Sequence, residues 1–387
     1  MTQARSQVSN SRTAVGPGPF RFAIIGCGVI ARTHAESLLQ LAKEDVVLAA
    51  CVDTIPERSA ALARQFDTRS RSLQDVLDDP SIDAVTVCTP SGLHASIGIH
   101  ALDAGKNVIV EKPMDVTVDA CDALLAAQAR SGRRLAVISQ HRFDSATVAV
   151  REAITSGYLG RIIGADVRVP WYRTQDYYDS GDWRGTWELD GGGCLMNQGV
   201  HTVDLMLSLC GPVQSVYAQA RTSAHDRIAV EDIISATLTF ESGAIGSIMA
   251  STATYPGYPA RLAVYGDRGS AIIEGDSLAA LSSMNEDSQS DTGTQTGSEA
   301  HLPSLPADHA LRVASGGTRA ALATAASDPN LAWGDGHREQ IRDFVRCCRE
   351  GGNAAVDGVA GRLAVATITA IYESARTDAP VILGGLS

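Results

Sequence analysis

The sequence has no apolar run approaching the roughly twenty residues that a membrane-spanning helix needs. It also lacks an excess of basic residues: 32 Lys and Arg face 44 Asp and Glu, a formal charge of −12 with a pI near 5.2. An acidic surface repels phosphate backbones and anionic lipid, so neither nucleic acid nor membrane is an expected partner. The eight cysteines (Cys27, Cys51, Cys88, Cys121, Cys194, Cys210, Cys347 and Cys348) contain no C-x-x-C pair, and most sit in apolar runs. They read as small core residues in a reducing compartment, with one of Cys347 and Cys348 buried and the other half-exposed on a helix. No Cys/His cluster has metal-ligand spacing, so no metal is expected, and G-x-S-x-G, a P-loop and internal repeats are all absent. Residues 1–19 lack the apolar core of a secretory signal and read as a disordered leader, which makes a cytoplasmic location the expectation.

What is present is a chain of 387 residues, 44% hydrophobic and 20% charged, too long for one ordinary core. Between residues 20 and 145, apolar runs at 22–25, 46–52, 84–88, 107–110 and 135–139 alternate with helical segments near 30–43, 56–65, 72–78, 93–104 and 117–131. That rhythm predicts an α/β unit with a doubly wound parallel sheet, whose ligands lie beyond the carboxyl ends of its strands. From 146 to 387 the rhythm changes. Runs at 161–169, 213–222, 232–241, 244–254, 260–266 and 269–275 alternate or end in short Gly, Ser and Asp connections, and one helix from Cys194 to Leu209 interrupts them. This predicts an α+β unit with a large, mostly antiparallel open sheet. Its own helices cover one face, and a second copy is expected on the other, in a homodimer or homotetramer. Helices near 337–348 and 359–376 precede a last apolar run, Val381–Leu383, and the C-terminal helix is free to pack back on the first unit. Residues 282–306, rich in Ser, Asp, Thr, Gln and Gly, read as a flexible insertion.

The first strand ends in Gly26-Cys27-Gly28-Val29-Ile30-Ala31 and passes into a helix, the setting that a dinucleotide fingerprint requires. Gly26 allows the tight turn, Gly28 lets backbone approach a pyrophosphate, and the small Ala31 keeps helix and strand close. Asp53 ends the second strand, where a carboxylate accepts ribose hydroxyls and repels a 2′-phosphate. NAD is therefore expected over NADP, with Arg58 the one neighbour able to reverse this. Thr89 and Pro90, and Glu111-Lys112-Pro113, fall at later strand ends. There a lysine can hydrogen-bond a substrate hydroxyl and stabilise alkoxide character, and Pro113 is a candidate cis peptide. In Gly191-Gly192-Gly193-Cys194-Leu195-Met196-Asn197-Gln198-Gly199-Val200-His201, Asn197 and His201 are four apart and share one helical face. His201 has the range of a general acid/base, Asn197 is placed to orient the same substrate, and Asp204 either holds the imidazole or caps and pairs. Aromatics interleaved with arginines (Trp171, Tyr172, Arg173, Tyr177, Trp183, Arg184) suit a sugar ring or a carboxylate.

Taken together, the GCGVIA turn followed by His34, the segment with Thr89, Pro90 and His94, EKP at Glu111–Pro113, QHRF at Gln140–Phe143 and GGGCLMNQGVHTVDL resemble the glucose–fructose oxidoreductase/inositol dehydrogenase/rhizopine catabolism (Gfo/Idh/MocA) family. The resemblance covers about residues 20–383. It implies a cofactor site at Gly26, Gly28, Val29, Ile30, Asp53, Thr89, Pro90, His94, Glu111, Lys112 and Gln140. Lys112 and His201 then belong to the catalytic set, with Arg142, Tyr172, Arg173, Trp183, Arg184 and Asn197 near the substrate. Asn197 stands where inositol-dehydrogenase-like members often carry an aspartate, a departure that weakens a proton relay through a carboxylate. The LMNQGVH wording is similar to members acting on UDP-linked N-acetylglucosaminuronate, and it also occurs in sugar and cyclitol dehydrogenases. The implied activity is NAD(H)-dependent interconversion of a secondary alcohol and a ketone on a sugar, sugar acid, nucleotide sugar or cyclitol. A closed redox cycle on tightly bound NAD, or a sensor without turnover, remain as other readings.

Overall fold

A computed structural model describes residues 18–284 and 335–384. Six strands form a wholly parallel sheet: β1 (Phe20–Ile25), β2 (Val46–Val52), β3 (Arg69–Ser70), β4 (Ala84–Val87), β5 (Asn107–Val110) and β6 (Leu135–Val137), in the order β3-β2-β1-β4-β5-β6. Crossover helices α1 (Val29–Gln40), α2 (Pro56–Gln65), α3 (Leu73–Asp78), α4 (His94–Asp103) and α5 (Val118–Ser131) lie between them, and α6 (Ser145–Thr155) leads out. The order reverses between β1 and β4, which opens a crevice at their carboxyl ends, where Gly26 and Thr89 lie. β4 is buried along its whole length, as a central parallel strand must be.

Eight strands form the second sheet: β7 (Ile162–Pro170), β8 (Val213–Arg221), β9 (Ile233–Phe240), β10 (Ile245–Ser251), β11 (Arg261–Gly266), β12 (Gly269–Glu274), β13 (Ser277–Ser283) and β14 (Val381–Ile382). Their order is β13-β12-β11-β7-β10-β9-β8-β14, antiparallel except for β7 with β10. Along β9 the inward Ile234, Ala236, Leu238 and Phe240 are buried, while Ser235 and Thr237 between them face outward. The inward face packs beneath α8 (Val200–Cys210) and α10 (Gly358–Thr377); α7 (Gln175–Asp179) lies in the loop after β7. The outward face exposes Tyr217, Ile245 and Tyr265. α9 (Gly336–Glu350) returns to the first sheet, where Phe344 meets Phe22 with ring centroids 6.3 Å apart.

Four elements differ from the sequence reading. β3, α6, α7 and β13 were not expected, and β13 also runs two residues into the stretch read as an insertion: Ser282 and Ser283 pair with Ser270 and Gly269. β3 has two residues and β13 weak alternation, so neither carries a pattern that pairing to a neighbour does not supply. The leader up to residue 17 and the insertion from 285 onward lie outside the described residues. All eight cysteines are free; Cys347 is buried and Cys348 half-buried. Among the described residues no helix is long and apolar enough to cross a membrane.

Candidate functional site

The glycine turn sits at the crevice. Gly26 has φ +90°, and a Cβ there would stand 2.7 Å from the Cys88 carbonyl oxygen, so only glycine fits. Gly28 caps α1 with no side-chain hydrogen bond and open space above it, leaving the helix's first N–H groups for an anion. Asp53 is half-buried at the end of β2 and accepts hydrogen bonds from the backbone N–H of Cys27 (2.7 Å) and Ile55 (2.8 Å). It thus ties the glycine turn to the end of β2 and keeps lone pairs able to accept from hydroxyls. The Thr89 hydroxyl, beside Gly26, is buried and has no protein partner. An uncapped helix, an open cradle and an orphaned hydroxyl fit a dinucleotide.

Lys112 lies two residues past β5 and is joined to Pro113 by a cis peptide. Its Nζ donates to the Asn197 backbone carbonyl (2.9 Å) and lies 3.4 Å from Asn197 Oδ1. Burial lowers its pKa, and Glu111 and Asp190 oppose that shift. Lys112 and His201 line one cavity, together with Met114, Ser139 and Val200. Burial and the Lys112 charge hold His201 well below the usual histidine range, and its Nδ1 has no partner. The His141 ring meets it edge-on at 5.2 Å, and His141 Nδ1 lies 2.6 Å from Asp144.

The helix carrying Asn197 and His201 is not the single α-helix read from sequence. Cys194–Gly199 is a π-helical turn and α8 begins only at Val200, so the two side chains do not share a simple α face. The turn is seated on Glu231, whose buried carboxylate accepts the N–H groups of Gly193 and Leu195 and the Tyr372 hydroxyl, each at 2.9 Å. A Cβ on Gly193 would overlap the Glu231 carbonyl oxygen. Gly193→Ala is accordingly expected to cost about 1–3 kcal/mol of stability by overpacking. It should also lower kcat with NADH affinity kept, which melting curves and fluorescence titration read.

Several expected site residues are placed elsewhere. His94 is buried with its nitrogens against the Pro113 (2.7 Å) and Thr89 (2.9 Å) carbonyls, so it pins two strand-end segments and is not turned to a cofactor. Glu111 turns into the fold, 2.7 Å from His34 Nε2 and 3.6 Å from His337 Nε2. Arg142 is spent on Asp204 (2.7 and 2.5 Å), and Asp204 also binds Ser139, so Asp204 does not hold His201 and Arg142 is not presented to a substrate. Gln140 is buried with Oε1 unpartnered. Val29 is exposed and Ile30 half-buried at the start of α1; Pro90 is half-buried behind Thr89. Arg173 is buried, donates to the Tyr172 carbonyl and Gln198 Oε1, and lies 5.0 Å from the Trp171 ring centroid. Arg184 stacks on Tyr177 (4.2 Å) and Trp183 (4.6 Å), and Tyr172 packs edge-on against Tyr255.

The fold also gathers His34, Glu111 and His337, whose ligand atoms all lie within 4.8 Å of one another, a cluster that spacing did not reveal. The 2.7 Å separation of His34 Nε2 and Glu111 is that of a hydrogen bond; two ligands of a tetrahedral zinc stand roughly 3.4 Å apart. Asp190, Glu231 and Tyr372 were missed as well. Only Asp190 had a signal, an acid directly before three glycines.

Residues 20–139 match the model of an oxidoreductase family with an NAD-binding Rossmann fold, and 147–272 match the GFO/IDH/MocA C-terminal domain. The WlbA dehydrogenase of Bordetella pertussis, solved with NADH and UDP-GlcNAcA, is 33% identical with a TM-score of 0.80, covering 95% of this chain and 99% of that one. The WlbA dehydrogenase of Chromobacterium violaceum, solved with the same two ligands, is 29% identical with a TM-score of 0.79, covering 96% and 98%. The inositol 2-dehydrogenase of Rhizobium meliloti is 30% identical over 66% of this chain and 75% of its own.

Proposed function

Because the chain belongs to the Gfo/Idh/MocA family of NAD-binding oxidoreductases, we propose that it interconverts a secondary alcohol and a ketone on a sugar acid carried as a nucleotide sugar. The observation that carries this reading is the meeting of Lys112, from the segment after β5, and His201, on α8, at one small cavity. When bound, NAD supplies the two-electron acceptor for the hydride leaving the carbinol carbon. His201, kept neutral by burial and by Lys112, takes the hydroxyl proton, and returns it in the reverse direction. Lys112 hydrogen-bonds the same oxygen and stabilises the alkoxide character that develops there. Asn197 positions both the lysine and the ring. Residues 20–145 hold the nucleotide and 146–387 the substrate, and the uncovered face of the eight-stranded sheet joins copies in a homodimer or homotetramer.

The acid on the sugar is supported by Arg184, stacked on Tyr177 and Trp183, and by the UDP-GlcNAcA bound by the two WlbA enzymes. Absorbance at 340 nm, followed with NAD and UDP-GlcNAcA, should rise; a panel of neutral sugars and inositols should react less well. Bound cofactor with no turnover on any of them would refute the reading. Arg184→Ala should raise KM for the acid about 10- to 100-fold, the worth of a charge-assisted hydrogen bond, with kcat little changed.

A further inference from the structure

One side chain away from the Lys112–Asn197–His201 set stands a buried carboxylate. Asp190 is 1% exposed and directly precedes the three glycines. One oxygen accepts the Gly185 N–H at 2.8 Å, and the other accepts from Asn197 Nδ2. A carboxylate only accepts, so the amide nitrogen of Asn197 must face Asp190 and the amide oxygen must face Lys112. Lys112 Nζ lies 3.4 Å from that oxygen and 2.9 Å from the Asn197 carbonyl. On the other side, Gly185 adjoins Arg184, the residue assigned above to the substrate's acid group. Asp190 therefore ties the substrate loop and the lysine corner to a single group.

We propose that Asp190 is a positioning residue for the redox step: it fixes the Asn197 amide that meets Lys112 and sets its own negative charge beside the ammonium group. The inference rests on the oxidoreductase reading of the same site. Burial pushes the Asp190 pKa up to about 6, against the Gly185 N–H, Asn197, Lys112 and Arg184, and its charge also bears on Tyr177. The group is thus ionised at neutral pH and loses its charge just below. Asp190→Asn removes both effects, because a second amide can present its own NH2 to Asn197 and turn that residue's donor toward the ammonium group.

The test is an exchange. Asp190→Asn should lower kcat on UDP-GlcNAcA about 10- to 100-fold, the scale of an ångström-level misplacement, with NADH affinity unchanged. The double variant Asp190→Asn/Asn197→Asp, which restores one acid and one amide in reversed order, should recover most of that loss. A second readout needs no turnover: acetylation of Lys112 by acetic anhydride, followed by mass spectrometry against pH. Its onset should move to lower pH in Asp190→Asn, because the carboxylate that favours the ammonium form is gone. In Asn197→Asp alone the onset should move to higher pH, and the double variant should lie between the two. Wild-type kcat and acetylation profiles in Asp190→Asn overturn the proposal, as does a folded, NADH-binding double variant no better than the single. If the unaltered protein binds NADH and turns over nothing, the oxidoreductase reading fails and takes the redox role of Asp190 with it, while the acetylation profiles separately decide whether Asp190 sets the charge state of Lys112.

Discussion

Replacing Lys112 or His201 by alanine is expected to lower kcat by about a hundred- to ten-thousandfold while leaving NADH affinity within a few-fold of the unaltered protein. The separation follows from where each task is done. In the proposed reading the cofactor's phosphates take the open helix end above Gly28 and its ribose the Asp53 carboxylate, and neither belongs to the cavity that Lys112 and His201 line. The two variants should also differ from each other. Loss of His201 removes the proton acceptor, so the remaining rate should climb with pH as hydroxide substitutes for it. Loss of Lys112 removes a fixed donor from the Asn197 carbonyl, so added alkylamines should restore part of the rate in proportion to their fit. Stopped-flow absorbance at 340 nm with parallel NADH titration reads both. Near-normal rates in either variant would remove that residue from the chemistry.

The contrast between what the sequence disclosed and what it hid has a physical basis. The parallel sheet was legible because β1, β2, β4, β5 and β6 are apolar runs, three of them closed by Gly, Thr-Pro or Glu-Lys-Pro, and strands at 46–52 and 107–110 fall on the expected residues. The positions of Gly26, Gly28 and Asp53 at strand and helix ends, and of Lys112 after β5, were legible because local spacing carries their setting. Partner choice was not. Nothing local distinguishes an arginine that meets a substrate from Arg142, which meets Asp204 62 residues away. His34 and Glu111 are 77 residues apart, and only the packing of α1 against the β5 end joins them. The π-helical turn was equally hidden, since its cause is a carboxylate at Glu231, on the far side of β8 in sequence. Periodicity reports a face to be covered, and it is silent about what a buried polar group on that face will bind.

The cluster on the inner side of Glu111 makes the second large prediction, on stability. His34 is fully buried and Glu111 nearly so, with His34 Nδ1 also paired to the Thr86 hydroxyl at 3.0 Å and Glu111 Oε2 accepting the Lys112 N–H at 3.0 Å. Burial opposes charge on both, yet the pair wins. Cys88 and Glu111 raise the His34 pKa to about 10, and His337 and His34 hold the Glu111 carboxyl well below the usual carboxylate range. A histidine whose pKa is higher in the folded state stabilises fully below its unfolded value, about 6.5, and loses that contribution as pH climbs toward 10. A carboxylate whose pKa is depressed on folding stabilises above about 4.5 and loses its share as pH falls below that. The pair therefore contributes most between roughly pH 4.5 and 6.5. His34→Ala leaves Glu111 buried with its nearest charged partner gone, which should cost about 3–5 kcal/mol at pH 6 and lower Tm by roughly 5–10 °C. Between pH 6.5 and 10 the unaltered protein should lose stability faster than the variant, so the two Tm curves should converge at high pH. Glu111→Gln, which removes the charge and keeps the shape, should cost less and flatten the same slope. Differential scanning calorimetry from pH 5 to 10 measures all three, and parallel curves for His34→Ala and the unaltered protein would show that the buried pair does not set the pH dependence of this fold.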